Sequence, residues 1–346
     1  MSEYFENLDK LTKDYFEILS ENIPEFLYDY VNTDAMRRID KVGCGCGTDY
    51  TKLYTKKFFY SNLRHSIGVA LIIWNFTRDK KQTLAGLFHD ISTPVFKHCI
   101  DFMNGDYEKQ ESTEELTAKM ITESEEIMKL LQKDNILVEE VSDYHKYPIA
   151  DNDTPRLSSD RLEYTLTHSI CSRNIWNLEQ IKKIYKNITI LKNEDGIEEL
   201  GFKTLEIAEE FVSGAKKMWM NWISNQDKLT LTFYATIMKK MSEKGLVTVK
   251  DLYTLSEKEM IEKIENCKVD NISDSFKKFR ELTMIHESDD AVEDKFCISA
   301  KTKRRYIVPL VADGIRIDNV SEKAKNIIED YLNYETPKYA YLDFNI

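Results

Sequence analysis

Three of the chain's six histidines, His65, His89 and His98, fall between Asn62 and Asp101. Imidazoles and carboxylates are the donors that hold a divalent ion, so such clustering points first to metal chemistry. His65 opens one predicted helix, and His89 with Asp90 closes the next. An imidazole from one helix and an adjacent imidazole and carboxylate from its neighbour make three parts of a metal site. Downstream, in LSSDRLEYTLTHSIC, Asp160 stands at the head of another amphipathic run and can close the set. His65, His89, Asp90 and Asp160 offer only nitrogen and oxygen donors. Donor softness therefore leaves Mn, Fe, Mg, Ni or Zn open. The competing reading makes His65 and His89 hydrogen-bonded core residues with no ion. Asp90 and Asp160 weigh against it, because two buried carboxylates without a cation are expensive.

The elements that must position these groups can be read around them. Between His65 and Phe76 the apolar residues are too many for one stripe, which predicts a helix buried on most sides. Asp79 is a good N-cap for a second helix carrying Leu84, Ala85, Leu87 and Phe88 inward, and Ala85 and Gly86 let another helix approach closely. Pro94 discourages further helix, which leaves His89 and Asp90 at a helix end where both can turn toward one point. After Asp160, Leu162, Tyr164, Leu166 and Ile170 form the expected inward face. His98 and Asp101, three residues apart, share one side of a helical turn.

The blocks RHSIGVA, HDISTPVFKH and DRLEY, in that order, resemble the HD-domain metal-dependent phosphohydrolases. They are most similar to the deoxynucleoside triphosphate triphosphohydrolase branch, with its typical EHSLGVA, HDIGHPPFGH and DxxDY patterns. The resemblance implies a mainly α-helical HD-domain fold and a single divalent ion on the four ligands. It also implies His98 and Asp101 beside the scissile phosphate, with the carboxylate fixing the imidazole as a general acid. Arg161 matches a basic position that contacts phosphates, and Tyr164 a tyrosine that packs under deoxyribose; a surface arginine and a core aromatic are the alternatives. Lys97 is a further phosphate candidate. The chain departs from the pattern at Cys44, where a glutamine often faces the sugar, and at Thr93 and Thr113, where the family has histidines. Those departures favour a different substrate, a slower enzyme, or a domain that binds without turning over.

The formal charge of −12 and a pI near 5.2 argue against a nucleic-acid scaffold, which needs a basic face. The expected partner is a small nucleotide or phosphate ester, with a homo-oligomer possible. No run approaches the length of a membrane span, and the N-terminus has no apolar leader, so a cytoplasmic protein with reduced thiols is expected. Cys44 and Cys46, in GCGCG, have poor zinc-knuckle spacing and suggest a glycine-rich bend near the pocket.

Scarce glycine and proline, 11 and 6 residues, fit a mainly helical chain. Residues 102–143 read as acidic helix with a solvated face, followed by a turn-rich loop holding His145, read as a surface residue. NITILKNEDGIEELGF predicts a hairpin around Asp195 and Gly196. Helices are expected over 203–225 and 229–243, and another capped by Ser256. From residue 292 the β-branched and aromatic content predicts strands, before a last helix. Arg304 and Arg305 lie there, suited to an oligomer interface or an effector. Residues 1–260 are expected to form the HD core with a helical extension, and 261–346 a small α+β C-terminal region.

Overall fold

The computed structural model describes residues 3–55, 58–106, 116–173, 175–269 and 271–346. Thr113 lies outside the described residues. The helix Asn62–Thr77 is the central element. Its residues from Asn62 to Ile73 are buried with the exception of Arg64, as the absence of a single apolar stripe implies. Ser61 starts it by accepting a hydrogen bond from the Arg64 N–H. Asp79 caps the next helix, Lys80–Phe88, by accepting from the Lys81 and Gln82 amides. Close packing of the two depends on Gly86, where a Cβ would lie 2.2 Å from Ile73 Cδ1.

The helix Ser159–His168, capped by the Ser158 hydroxyl, lies against the other side of Asn62–Thr77. Gly68 makes the approach possible, since a Cβ there would sit 2.6 Å from Glu163 Oε1. The contact carries Glu163 into the interior beside the N-terminal helix Lys10–Leu19. Tyr15 from that helix and Tyr60 both donate to Glu163 Oε1, at 3.4 and 2.8 Å.

The expected hairpin forms as Ile188–Lys192 and Glu198–Phe202, antiparallel, with Gly196 at φ +74° in its turn. Leu310–Val311 adds in parallel to its second strand and Ile315–Arg316 follows, giving four strands in sequence order. A second, three-stranded sheet is made by His286–Ser288, Tyr339–Tyr341 and Cys297–Ile298. The expected helices form over Leu205–Trp222 and Asn225–Glu243, and Ser256 builds a capping box with Glu259.

Two expectations need correction. Among the described residues the acidic run holds two helices, Thr117–Glu123 and Glu125–Asp134, because Ser124 turns extended and caps the second through Ile127 N–H. Most of the β-rich stretch after residue 292 lies outside any strand ladder. Residues 299–309 run without regular structure between Cys297–Ile298 and Leu310–Val311. Their side chains and backbone are held by groups other than a ladder: Val308 N–H donates to Pro155 O, and Arg304 to the carbonyls of Tyr331 and Tyr334. Among the described residues no helix is long and apolar enough to cross a membrane.

Candidate metal centre and active site

His65 lies in the first turn of Asn62–Thr77 and His89 caps the end of Lys80–Phe88; both are buried. His89 Nδ1 donates to the Gly86 carbonyl at 2.7 Å. His65 Nδ1 donates to the buried carboxylate of Glu163. A carbonyl or an ionised carboxylate can only accept, so both Nδ1 atoms carry a proton, and whenever the rings are neutral both Nε2 atoms present lone pairs. Those two Nε2 atoms face each other at 3.2 Å. Two lone pairs that close require a positive charge between them. Asp160 Oδ1 adds its own charge 3.0 Å from His65 Nε2 and 3.7 Å from His89 Nε2.

The electrostatics agree. Burial opposes charge on the His65 ring, yet Glu163 and Asp160 together push it up to about 10, so without an ion the charge between the rings is a proton, which a bound metal would displace. Burial also works against the Asp160 carboxylate, but the facing imidazoles hold it well below the usual range. A divalent ion with nitrogen ligands at roughly 2.1 Å needs donor pairs near the observed spacing, so the residues present fit a metal. His65, His89 and Asp160 offer ligand atoms all within 4.8 Å of one another. Asp90 Oδ2 stands at 3.7 Å from His89 Nε2 and 4.0 Å from His65 Nε2, and the same oxygen accepts from Lys97 Nζ at 2.6 Å. Lys97 also donates to Asn62 Oδ1 at 3.1 Å. It reaches back to Asp90 through an unusual turn: Phe96 and Lys97 are both non-glycine residues at positive φ, +64° and +42°. Such conformations persist only where the surroundings over-determine them, and they cluster at working sites.

The helix His98–Met103 begins there. His98 Nδ1 donates to Asp101 Oδ2 at 2.9 Å, and Asp101 is fully buried. Burial pushes the His98 imidazole below its ordinary range of about 6.5, and the charges of Arg305 and Lys97 act in the same direction against Asp101. His65, His89, Asp90, Asp160, Lys97, His98 and Arg305 line one cavity of about 800 Å³. Arg161 and Tyr164 line it too. The Arg161 guanidinium is tied to Asp151 Oδ1 at 2.6 Å, and the Tyr164 ring sits edge-on to Trp222 with centroids 5.4 Å apart. His145, half-exposed, also borders the cavity, with Nε2 at 3.3 Å from Asp151. Cys44 lies in its wall, Sγ 3.5 Å from Asn62 Oδ1, with burial pushing the thiol up. Thr93 is buried beside the His89 end of the site.

Sequence reasoning missed Glu163, Asp151, Trp222 and the reach of Arg305 into this cavity. Glu163 gives no signal of its own in the sequence, since the residue after Leu162 lies about 100° round the helix from it and a glutamate there is ordinarily solvated. Because Glu163 fixes the tautomer of a ligand, Glu163→Gln should weaken divalent-ion affinity by about 10–100-fold. Competition with a fluorescent chelator would measure it, and an unchanged affinity would remove Glu163 from the centre.

Residues 62–171 match the HD domain family. The chain is 26% identical over 285 residues to the uncharacterized protein YdhJ of Bacillus subtilis strain 168, a match spanning 80% of this chain and 83% of that one. A phosphohydrolase from Bacteroides thetaiotaomicron superposes with a TM-score of 0.61 at 13% identity, over 94% of this chain and 97% of the other. A hypothetical protein from Aquifex aeolicus gives 0.58 at 14% identity, over 93% of each. At such identities the two structures speak for the fold alone.

Proposed function

We propose that this chain, which carries an HD domain over residues 62–171, is a metal-dependent phosphohydrolase of nucleotide-like phosphate esters. Its preferred substrate on this reading is a deoxynucleoside triphosphate, cut to nucleoside and triphosphate. One observation carries it: two imidazole lone pairs and a carboxylate converge at 3.0–3.7 Å in a cavity that also holds Lys97, His98, Arg161 and Arg305. Negative charge gathers the ion, and positive charge beside it suits phosphate. The volume, about 800 Å³, is that of a small-molecule site.

A bound divalent ion would supply Lewis-acid charge at a phosphoryl oxygen and acidify the attacking water. The chain's residues do the rest. Glu163 and the Gly86 carbonyl hold the two rings in the ligating tautomer. Lys97 keeps Asp90 oriented at the rim of the centre. The bond that breaks joins the proximal phosphorus to the ester oxygen, which leaves as alkoxide and needs a proton. His98, oriented by Asp101 through Nδ1, delivers that proton from Nε2. Tyr164, one helical turn beyond Asp160, packs under the sugar.

A 2′-hydroxyl should clash with the Tyr164 ring, so matched deoxy and ribo triphosphates should be hydrolysed unequally, the deoxy form faster. Tyr164→Ala should relax the preference. Cys44 supplies no amide to the sugar, which should cost about 1–3 kcal/mol of discrimination relative to a site with that hydrogen bond. Parallel assays of wild type and Tyr164→Ala decide the matter. Equal rates on both sugars, or release of single phosphates, would redirect the assignment to a general nucleotide phosphomonoesterase or phosphodiesterase. Thr93, buried where the resembled family has a histidine, supports a second reading as a nucleotide sensor. Tight nucleotide binding with bound metal and no hydrolysis would establish that reading.

A further inference from the structure

The segment 299–309, which forms no strand, crosses the cavity from the C-terminal region. Its placement follows from the contacts at its two ends. Arg304 turns outward, donating to the carbonyls of Tyr331 and Tyr334 at 2.8 and 2.7 Å, at the end of the helix Glu322–Leu332, where carbonyls lack helical partners. Buried Ile307 and Val308 and the Val308 N–H bond to Pro155 fix the other end. Arg305 is thereby aimed inward, its Nη2 at 3.4 Å from His98 Nε2, and Lys303 lines the same cavity.

This contact is informative because of what each partner can do. His98 donates its Nδ1–H to Asp101, so Nε2 is the nitrogen that faces the cavity, and a guanidinium can only donate to it. At 3.4 Å the bond is longer than a good hydrogen bond. A planar guanidinium is built for bidentate contact with phosphate oxygens and makes poor use of one imidazole nitrogen.

Building on the phosphohydrolase reading, we infer that Arg305 is a substrate-binding residue: with Lys303 it holds a phosphate group of the substrate against His98. The C-terminal segment thus completes the anion side of a site whose metal side lies in the HD domain. Binding replaces the long Arg305–His98 contact by guanidinium–phosphate bonds and leaves His98 Nε2 pointing at the same phosphate.

The probe is inorganic tripolyphosphate, titrated calorimetrically into the purified full-length protein and its variants at equal, measured metal content. Arg305→Ala should bind it at least tenfold more weakly. Arg305→Lys should recover only part, because an ammonium cannot form the bidentate pair. Lys301→Ala, on an exposed side chain, should change nothing. In turnover, Arg305→Ala should raise KM for a nucleoside triphosphate more than it lowers kcat. Arg305→Gln, closer in shape, repeats the test if the alanine variant is misfolded by circular dichroism. Unchanged affinity in a folded Arg305 variant, or no tripolyphosphate binding by wild type, overturns the inference. Arg305-dependent binding by a protein that hydrolyses no nucleotide would uphold it while removing the hydrolase reading.

Discussion

Asp160→Ala should strip the protein of its divalent ion and take hydrolysis to the assay background. The expectation rests on position. Asp160 Oδ1 is the carboxylate oxygen nearest the paired Nε2 atoms, 3.0 Å from one and 3.7 Å from the other. Without it the two imidazoles and Asp90 remain, and Asp90 stands further from both Nε2 atoms and is already engaged by Lys97, so the set holds a hard cation poorly. Elemental analysis of the dialysed protein should fall from about one ion per chain to none. Asp90→Ala should give the same loss for a second reason, since it also leaves the buried Lys97 ammonium uncompensated beside the centre. Full metal occupancy in either variant would reject that residue as a ligand. Retained occupancy in both would reject the centre as drawn.

Most of this centre was legible because it is local. Helical period, the Asp79 cap, Gly86 and Pro94 place His65, His89 and Asp90 on two adjoining helices within one stretch, and each device does in the fold what its chemistry predicts. Asp160 follows from the head of the next amphipathic run. Glu163 was passed over because a glutamate on a helix is ordinarily solvated; only the approach permitted by Gly68 buries it, and a glycine in a helix does not name its neighbour. Arg305 was beyond reach for a different reason. Composition reads 299–309 as strand, because Tyr306, Ile307 and Val308 favour extended backbone. They form no strand, because pairing needs an adjacent strand edge, and here the neighbours are the Glu322–Leu332 carbonyls and the cavity. Period tells which face is inward, not what waits there.

His98→Ala should lower turnover by about 10²–10⁴-fold with metal content intact, the scale of a lost general acid. Separation of the two effects is built into the site: His98 is held by Asp101 and faces Arg305, and it makes no contact in the cluster of His65, His89 and Asp160. The pH dependence gives a second handle. A general acid works only when protonated, and the protonated fraction falls as pH rises. Burial, then Arg305 and Lys97, hold His98 below 6.5 against the opposing pull of Asp101. In the ligand-free protein kcat/KM should therefore decline with rising pH through a midpoint below 6.5. A bound phosphate places negative charge beside Nε2 and draws Arg305 onto itself, both of which favour the imidazolium. The corresponding limb in kcat should lie at higher pH than in kcat/KM. His98→Ala should erase that limb in both profiles, and Asp101→Asn should shift it downward by removing the carboxylate that supports the proton. Unchanged turnover in the alanine variant, or a limb that survives it, would assign proton delivery to another group.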